Sequence, residues 1–250
     1  MMSCQDARRF RKAAATINYL AQDRPDLGVA SSFCARSMAN PRVGDEVRIK
    51  RCIRYLKGKP YLSIYYDQQD QDQSHVFALY TDSDWATCKT TRRSTSGGVL
   101  LHGQHLVGHW CKVQGKIAPS SGEAELMSAN IGLSSLAGVV QVHMELTGSS
   151  VLDYELHHKI DAAACRGMLL RRGAGAIKHL EVRDMWGQEI VRRLGVIVQR
   201  IPRKENVSDV MASINASKDF SEHLSNLGLN FLTTCQAMTV LDVVYSCLGA

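Results

Sequence analysis

The sequence predicts an α/β fold with a five-stranded mixed sheet flanked by helices and preceded by a small helical N-terminal arm. Two observations lead to this class. Three strand-like segments follow one another after residue 75, and strand and helix patterns then alternate to about residue 229. Consecutive strands favour an antiparallel meander, whereas β–α crossovers place helices on the faces of a sheet. Before residue 60, apolar residues instead recur at helical spacing.

The N-terminal arm, residues 1–66, has apolar side chains three or four positions apart, as at Ile17 and Leu20. This period is typical of amphipathic helices, so we expect a small helical bundle. Residues 61–66 are a strand candidate. The polar run at residues 67–75, rich in Gln and Asp, is expected to be a linker.

The second domain, residues 76–229, carries the alternating strand and helix patterns. Its strand candidates lie at residues 76–82, 98–102, 105–110, 154–161 and 196–201. Between the second and third of these, Gly103-Gln104 suits a tight hairpin turn. Helices are expected at residues 122–146, from residue 162 to 172, at 179–194, and near residues 207 and 220. Residues 230–250 form a tail without an assigned role.

Composition narrows the function classes. Thirty lysines and arginines against 24 acidic residues give a net charge of +6, which suits a polyanionic partner, although many basic proteins bind no nucleic acid. The eight cysteines form no Cys-x-x-Cys pair, which favours reduced thiols in an intracellular protein. Arg8 and Arg9 interrupt any early apolar run, and no stretch is long and apolar enough for a bilayer. We expect a soluble, cytoplasmic protein without a signal peptide or membrane contact.

Four acidic residues stand at the ends of predicted elements: Asp82, Glu125, Asp161 and Asp209. In a mixed sheet the ends of central strands are natural places for a site. Four carboxylates converging there would repel one another, and divalent cations relieve such repulsion. Oxygen ligands select Mg²⁺ or Mn²⁺, and two such ions about 4 Å apart promote phosphodiester cleavage. The alternative is that these residues only cap helices and strands.

The start of the long helix separates two carboxylates by role. Ser120 and Glu123 have the spacing of a capping box, in which each side chain bonds the other residue's backbone. Glu123 and Glu125 are about 200° apart around a helix, so they face nearly opposite ways. Glu123 is therefore the structural carboxylate, and Glu125 is free to face the sheet.

Several motifs follow one another along the second domain. They are Tyr80-Thr-Asp-Ser-Asp-Trp85, Arg92-Arg-Ser-Thr-Ser-Gly97, Trp110-Cys-Lys-Val-Gln114, Ser120-Ser-Gly-Glu-Ala-Glu125, Lys178-His179 with Glu181-Val-Arg183, and Asn206-Val-Ser-Asp209. In this order they resemble the ribonuclease H domain of copia-type retrotransposon Pol polyproteins. The N-terminal arm is similar to the end of the family's reverse transcriptase, through Arg24-Pro-Asp26 and the stretch from Arg51 to Gly58. The resemblance covers about residues 17–229.

The resemblance implies a ribonuclease H fold and cleavage of the RNA strand of RNA–DNA hybrids. It implies two Mg²⁺ ions, with Mn²⁺ as an alternative, bound by Asp82, Glu125, Asp161 and Asp209. Asp82 would bridge both ions, Glu125 and Asp161 would hold one, and Asp209 the other. Asp84 competes for the first position, because both residues point to one face of an extended strand, but the family ligand is the earlier one. The implied partners are a hybrid and the reverse transcriptase domain of the same polyprotein, in the cytoplasm or a virus-like particle.

Five basic residues flank the acidic set in the sequence and are candidates for substrate binding: Arg92, Arg93, Lys112, Lys116 and Lys178. Contacts with phosphates position a nucleic acid without reading its bases. The alternative is a solvated surface. Trp85 is expected to cover the site entrance, and Trp110 to pack in the core.

The chain departs from the family pattern at three points. Ala162 stands where the family has Asn, residues 202–206 lack the His of many cellular ribonucleases H, and there is no Tyr-x-Asp-Asp polymerase motif. DNA synthesis is therefore not expected. Two alternative functions remain: a catalytically inactive nucleic-acid-binding module from a decayed transposon copy, and another nuclease or a transposase of the same fold.

Overall fold

A computed structural model of the protein describes residues 2–66, 74–175, 180–213 and 217–232. The chain divides into two units, one made of Met1–Tyr66 with Leu224–Ala250 and the other of Asp67–His223. The second unit ends a few residues before the predicted domain end at residue 229. Most of the predicted linker and of the tail lies outside the described residues.

The described residues form eight α-helices and seven strands. The helices are α1 (Cys4–Leu20), α2 (Gly28–Arg36), α3 (Glu46–Gly58), α4 (Ser121–Thr147), α5 (Ala163–Leu170), α6 (Trp186–Leu194), α7 (Asp209–Ala212) and α8 (Ser217–Asn226). The strands are β1 (Leu62–Ile64), β2 (Val76–Asp84), β3 (Thr95–His102), β4 (His105–Val113), β5 (Glu155–Ile160), β6 (Ile197–Arg200) and β7 (Leu229–Phe231). Within these helices, no segment combines the length and the apolarity that crossing a membrane requires.

The first unit is built on three helices, as the apolar periodicity predicts. Helix α1 begins at Ser3, whose hydroxyl accepts a hydrogen bond from the Asp6 amide. The buried core of α1, α2 and α3 comprises Phe10, Ala14, Ile17, Cys34, Ile49 and Cys52. Strand β1 then pairs with β7 in antiparallel register, with Ser63 opposite Asn230. This pairing explains why residues after 223 belong to the first unit.

The second unit contains a five-stranded sheet in the order β4-β3-β2-β5-β6. Strands β2, β3 and β4 form the antiparallel meander, whereas β5 runs parallel to β2 and β6 parallel to β5. The parallel pairs require crossovers, which the helices after β4 and β5 supply. The predicted α/β class, with a mixed sheet flanked by helices and a helical N-terminal region, is confirmed.

Helix α4 covers the centre of this sheet through apolar side chains that include Leu126, Leu133 and Leu136. Gly132 lets the helix approach β2 closely, because a Cβ at this position would lie 2.5 Å from Thr81 Cγ2. On β3 nearly every residue is buried, so helices or loops cover both of its faces. Helix α4 and strands β2 and β3 are therefore densely packed against one another.

The predicted helix at residues 179–194 is shorter in the structure. A 3-10 turn spans Val182–Met185, and α6 begins only at Trp186. Asp184 accounts for the turn, since its carboxylate accepts from the Glu181 amide at 3.1 Å and closes a capping box there. Residues 176–179, which include part of this prediction, lie outside the described residues.

Candidate metal centre

Three of the four predicted carboxylates lie together in the structure. Asp82, Glu125 and Asp161 each offer an oxygen atom, and these oxygens lie within 4.8 Å of one another. Asp82 is near the end of β2, Asp161 directly follows β5, and Glu125 is in the second turn of α4. Because β2 and β5 are parallel neighbours, their carboxyl ends meet at one edge of the sheet. The cluster contains Asp82, not Asp84.

Glu123 and Glu125 have different hydrogen-bond partners at the start of α4. Ser120 Oγ accepts from the Glu123 amide at 3.3 Å and donates to its carboxylate at 3.1 Å. The Glu125 carboxylate instead accepts hydrogen bonds from the backbone amide and the hydroxyl of Ser83, at 3.2 and 3.0 Å. These bonds fix Glu125 against β2, beside Asp82.

Asp209 stands beside this cluster at the start of α7. Its charge is the largest electrostatic cause, after burial, of the raised pKa of Asp82, and it also raises the pKa of Asp161. Arg203 Nη2 lies 3.4 Å from Asp209 Oδ1, and the Asp209 charge raises the pKa of Arg203. The structure therefore places Asp209 within electrostatic range of Asp82 and Asp161, but outside the group of three carboxylates.

Burial makes the cluster costly to ionise. Asp82 and Glu125 are only 7% and 8% exposed. Loss of hydration raises the pKa of Asp82 to about 7, and the charges of Asp209 and Asp161 add to the effect. The pKa of Glu125 rises to about 9 for the same reason, with Asp82 as the next cause. Burial also raises the pKa of Asp161. The raised pKa values of Asp82 and Glu125 favour their protonated forms near pH 7 in the metal-free protein, and a bound cation would displace these protons.

The residues present fit a hard divalent cation. The cluster offers oxygen donors, it is buried, and its members raise one another's pKa, which is the electrostatic situation that a positive ion relieves. Oxygen-only ligand sets favour Mg²⁺ or Mn²⁺ over zinc or copper.

The five predicted substrate-binding residues fall into three groups. Arg92, Arg93 and Lys112 are exposed. The two arginines lie on the loop between β2 and β3, and Lys112 lies opposite Ser96, which in turn pairs with Ser83. All three therefore lie at the edge of the sheet that carries the carboxylates. Lys116 is engaged elsewhere, with its ammonium 2.6 Å from Asp184 and 3.8 Å from Glu181. Lys178 lies outside the described residues.

Two arginines near the carboxylates were not among the predicted site residues. Arg203 pairs with Asp209, and Arg200 Nε donates to the Asp161 carbonyl at 3.2 Å. Their position in the segment just before Asp209 was the available signal. Trp85 is half-exposed, and its indole nitrogen donates to the Ala118 carbonyl at 3.0 Å. Trp110 is buried, and its ring fills the space where Gly98 has no side chain, as expected for core packing.

The strand order, the mixed pairing and the acidic cluster at the ends of β2 and β5 define a protein of the ribonuclease H fold. No family model matches the chain. A ribonuclease H1 isolated from compost superimposes with a TM-score of 0.43 at 15% identity, over 60% of this chain and 99% of that chain. Ribonuclease H1 from Halobacterium salinarum gives 0.37 at 16% identity, over 55% and 94%.

Several known proteins are similar to the chain in sequence. The chain is 30% identical over 141 residues to the retrovirus-related Pol polyprotein from transposon RE1 of Arabidopsis thaliana, over 56% of this chain and 9% of that protein. Its identity to the polyprotein from transposon TNT 1-94 of Nicotiana tabacum is 25% over 191 residues, 76% of this chain and 14% of that protein. An uncharacterized mitochondrial protein of Arabidopsis thaliana is 33% identical over 79 residues, 32% of this chain and 68% of that protein.

The sequence relatives of the chain thus include retrovirus-related Pol polyproteins of copia-type transposons and uncharacterized mitochondrial proteins. The chain spans about a tenth of the length of the polyproteins from transposons RE1 and RE2, and about half of a second uncharacterized mitochondrial protein of Arabidopsis thaliana.

Proposed function

We propose that this chain is a metal-dependent endoribonuclease that cuts the RNA strand of RNA–DNA hybrids. The observation that carries the proposal is the group of three carboxylates whose oxygens lie within 4.8 Å of one another, with Asp209 beside them. Similarity to retrovirus-related Pol polyproteins supports the same activity, as part of a copia-type reverse transcription machinery. The implied partner within the polyprotein is its reverse transcriptase domain.

Asp82, Glu125, Asp161 and Asp209 would hold two Mg²⁺ ions, with Mn²⁺ as a substitute. When bound, such ions activate a water molecule and stabilise the leaving oxygen of a phosphodiester. The carboxyls of Asp82 and Glu125 must first lose the protons that their raised pKa values let them keep. Ser83 keeps Glu125 oriented for this role through its amide and hydroxyl.

The exposed cations at the same edge of the sheet supply the contacts with the substrate. Arg92, Arg93 and Lys112 would bind phosphates of the hybrid and position it over the carboxylates. Lys116 would contribute only after leaving its ion pairs with Asp184 and Glu181. Lys178 remains a substrate-binding candidate from the sequence alone.

The test compares wild-type protein with Asp82→Asn and Asp84→Asn in cleavage of an RNA–DNA hybrid with Mg²⁺. The two aspartates are two positions apart on one strand, but only Asp82 belongs to the cluster. We expect Asp82→Asn to abolish cleavage and Asp84→Asn to retain it. Equal rates for wild-type protein and Asp82→Asn would refute the assignment.

Two further outcomes separate this function from its alternatives. Hybrid binding without Mg²⁺-dependent cleavage would identify the catalytically inactive module. Preferential cleavage of duplex DNA would identify a different nuclease of the same fold.

A further inference from the structure

Three buried polar side chains lie beneath the carboxylates, and each is three positions from one of them. Ser128 follows Glu125, His158 precedes Asp161, and Asn206 precedes Asp209. All three are fully buried, although they lie on different elements, namely α4, β5 and the segment before α7. Polar side chains are seldom fully buried unless they form hydrogen bonds. The hydrogen-bond partners of Ser128, His158 and Asn206 therefore indicate their structural role.

All three side chains bond to the same two residues of β2. Ser128 Oγ donates to the Asp82 carbonyl at 2.7 Å, and it also lies 3.2 Å from the Gly97 carbonyl. His158 Nε2 and Thr81 Oγ1 are hydrogen-bonded at 2.8 Å. Asn206 Nδ2 donates to the Thr81 carbonyl at 3.2 Å. Each segment that carries Glu125, Asp161 or Asp209 is therefore hydrogen-bonded to Thr81 or Asp82. Asp82 is the fourth carboxylate of the set.

Asn206 is the most fully engaged of the three. Its Oδ1 accepts from the amide and the hydroxyl of Ser208, at 3.3 and 2.6 Å. Its own carbonyl accepts from the Asp209 amide at 3.1 Å. One side chain therefore shapes the turn that leads into α7 and attaches that turn to β2. This attachment determines where Asp209 stands relative to Asp82.

We propose that Ser128, His158 and Asn206 are positioning residues that tether the other three carboxylates to Thr81-Asp82 and thereby set the spacing of the metal ligands. The proposal rests on the proposed function, because it concerns the same metal centre. Residues that orient metal ligands act on affinity, and their loss typically weakens metal binding by about 10- to 100-fold.

The first test titrates Mn²⁺ into the protein by calorimetry, with Asn206→Ala compared against Asn130→Ala. Asn130 is the matched control, because its Nδ2 makes the same kind of bond, to the Asp184 carbonyl at 2.9 Å, away from the carboxylates. We expect Asn206→Ala to lose about 10- to 100-fold in affinity for one of two ions. Asn130→Ala should bind both ions as wild type does, whatever its melting temperature.

A second pair of variants tests the tether to β5 by separating the hydroxyl of Thr81 from the volume of its side chain. Thr81→Val removes the hydroxyl that bonds His158 and keeps the branched volume, whereas Thr81→Ser keeps the hydroxyl. We expect weaker Mn²⁺ binding in the valine variant and near-wild-type binding in the serine variant.

Several results would overturn the proposal. It fails if Asn206→Ala and Thr81→Val bind two ions with wild-type affinity, or if affinity merely follows melting temperature across all four variants. A wild-type protein that binds no Mn²⁺ would refute the metal centre and the tethers together. Wild-type binding with unaffected variants would refute the tethers alone.

Discussion

Replacing Asp82 by asparagine is expected to stabilise the metal-free protein at alkaline pH, although it should destroy the proposed activity. Asp82 is buried among other acidic groups, and its pKa is raised from 3.8 to about 7. Between these two values the folded chain holds a proton that the unfolded chain has released. Stability therefore falls as the pH rises from about 4 to about 7, and it stays low above that range. Asparagine never ionises, so it does not suffer this loss.

The magnitude follows from the two pKa values. A tenfold change in an acid constant corresponds to about 1.4 kcal/mol, so ionising Asp82 in the folded chain at pH 8 costs about 4 kcal/mol. This is the largest gain in the free energy of unfolding that Asp82→Asn can give. Near pH 4 the expected gain in the free energy of unfolding from Asp82→Asn is less than about 1 kcal/mol. For a chain of this size, each kcal/mol changes the melting temperature by roughly 2–4 °C.

The assay is denaturant unfolding of wild-type protein and Asp82→Asn, in EDTA and in excess Mg²⁺, at pH 8 and near pH 4. In EDTA the variant should be the more stable protein at pH 8, with little difference near pH 4. Mg²⁺ should stabilise the wild type and leave the variant unchanged, because a ligand stabilises only the state that binds it. A variant less stable than wild type in EDTA at pH 8 would refute the electrostatic reasoning.

Two further predictions concern the elements that hold the carboxylates. Gly97→Ala should sharply reduce hybrid cleavage, because the added Cβ would lie 2.5 Å from the backbone of Met211 and Ala212 and would displace α7 together with Asp209. Gly108→Ala is the control. Its Cβ would have Leu100 Cβ as its nearest neighbour, at 3.7 Å, so this variant should cleave normally. Cleavage by both variants at the wild-type rate would contradict this. Glu125→Gln should lower the cleavage rate at least about 100-fold. Glu123→Gln should cleave normally, because the amide oxygen of glutamine can still accept the hydrogen bond from Ser120 at the helix start. Similar losses of activity in both glutamate variants would refute the separation of roles.

Local sequence patterns located the strands of the sheet and the acidic residues at their ends, whereas the family resemblance selected Asp82 over Asp84 as a metal-ligand candidate. The strand periodicity located β2 and β5, and the ends of these strands carry Asp82 and Asp161. Capping-box spacing was enough to separate Glu123 from Glu125, because both roles depend on the geometry of a single helix start. These features could be predicted since each depends on a few neighbouring residues.

Local sequence patterns do not predict hydrogen bonds between residues that are far apart in the sequence. The bonds of Ser128, His158 and Asn206 to β2 join residues 46, 77 and 125 positions apart. Lys116 was predicted to face a phosphate, yet it pairs with Asp184, which lies 68 positions away. The second unit ends before β7 because β7 pairs with β1 of the first unit. Local sequence patterns do not predict this pairing. Each of these contacts depends on topology and not on composition or period.

The acidic cluster and its tethers are best understood as one energetic arrangement. Without a cation, buried carboxylates raise one another's pKa and destabilise the folded chain, so an unconstrained backbone would relax by moving them apart. The bonds from Ser128, His158 and Asn206 oppose that relaxation, because breaking any of them would leave a buried polar group without a partner. Because the fold holds the buried carboxylates close together, binding of a divalent cation should increase the free energy of unfolding. That gain is why Mg²⁺ should raise the stability of the wild type more than that of any variant lacking a carboxylate of the cluster.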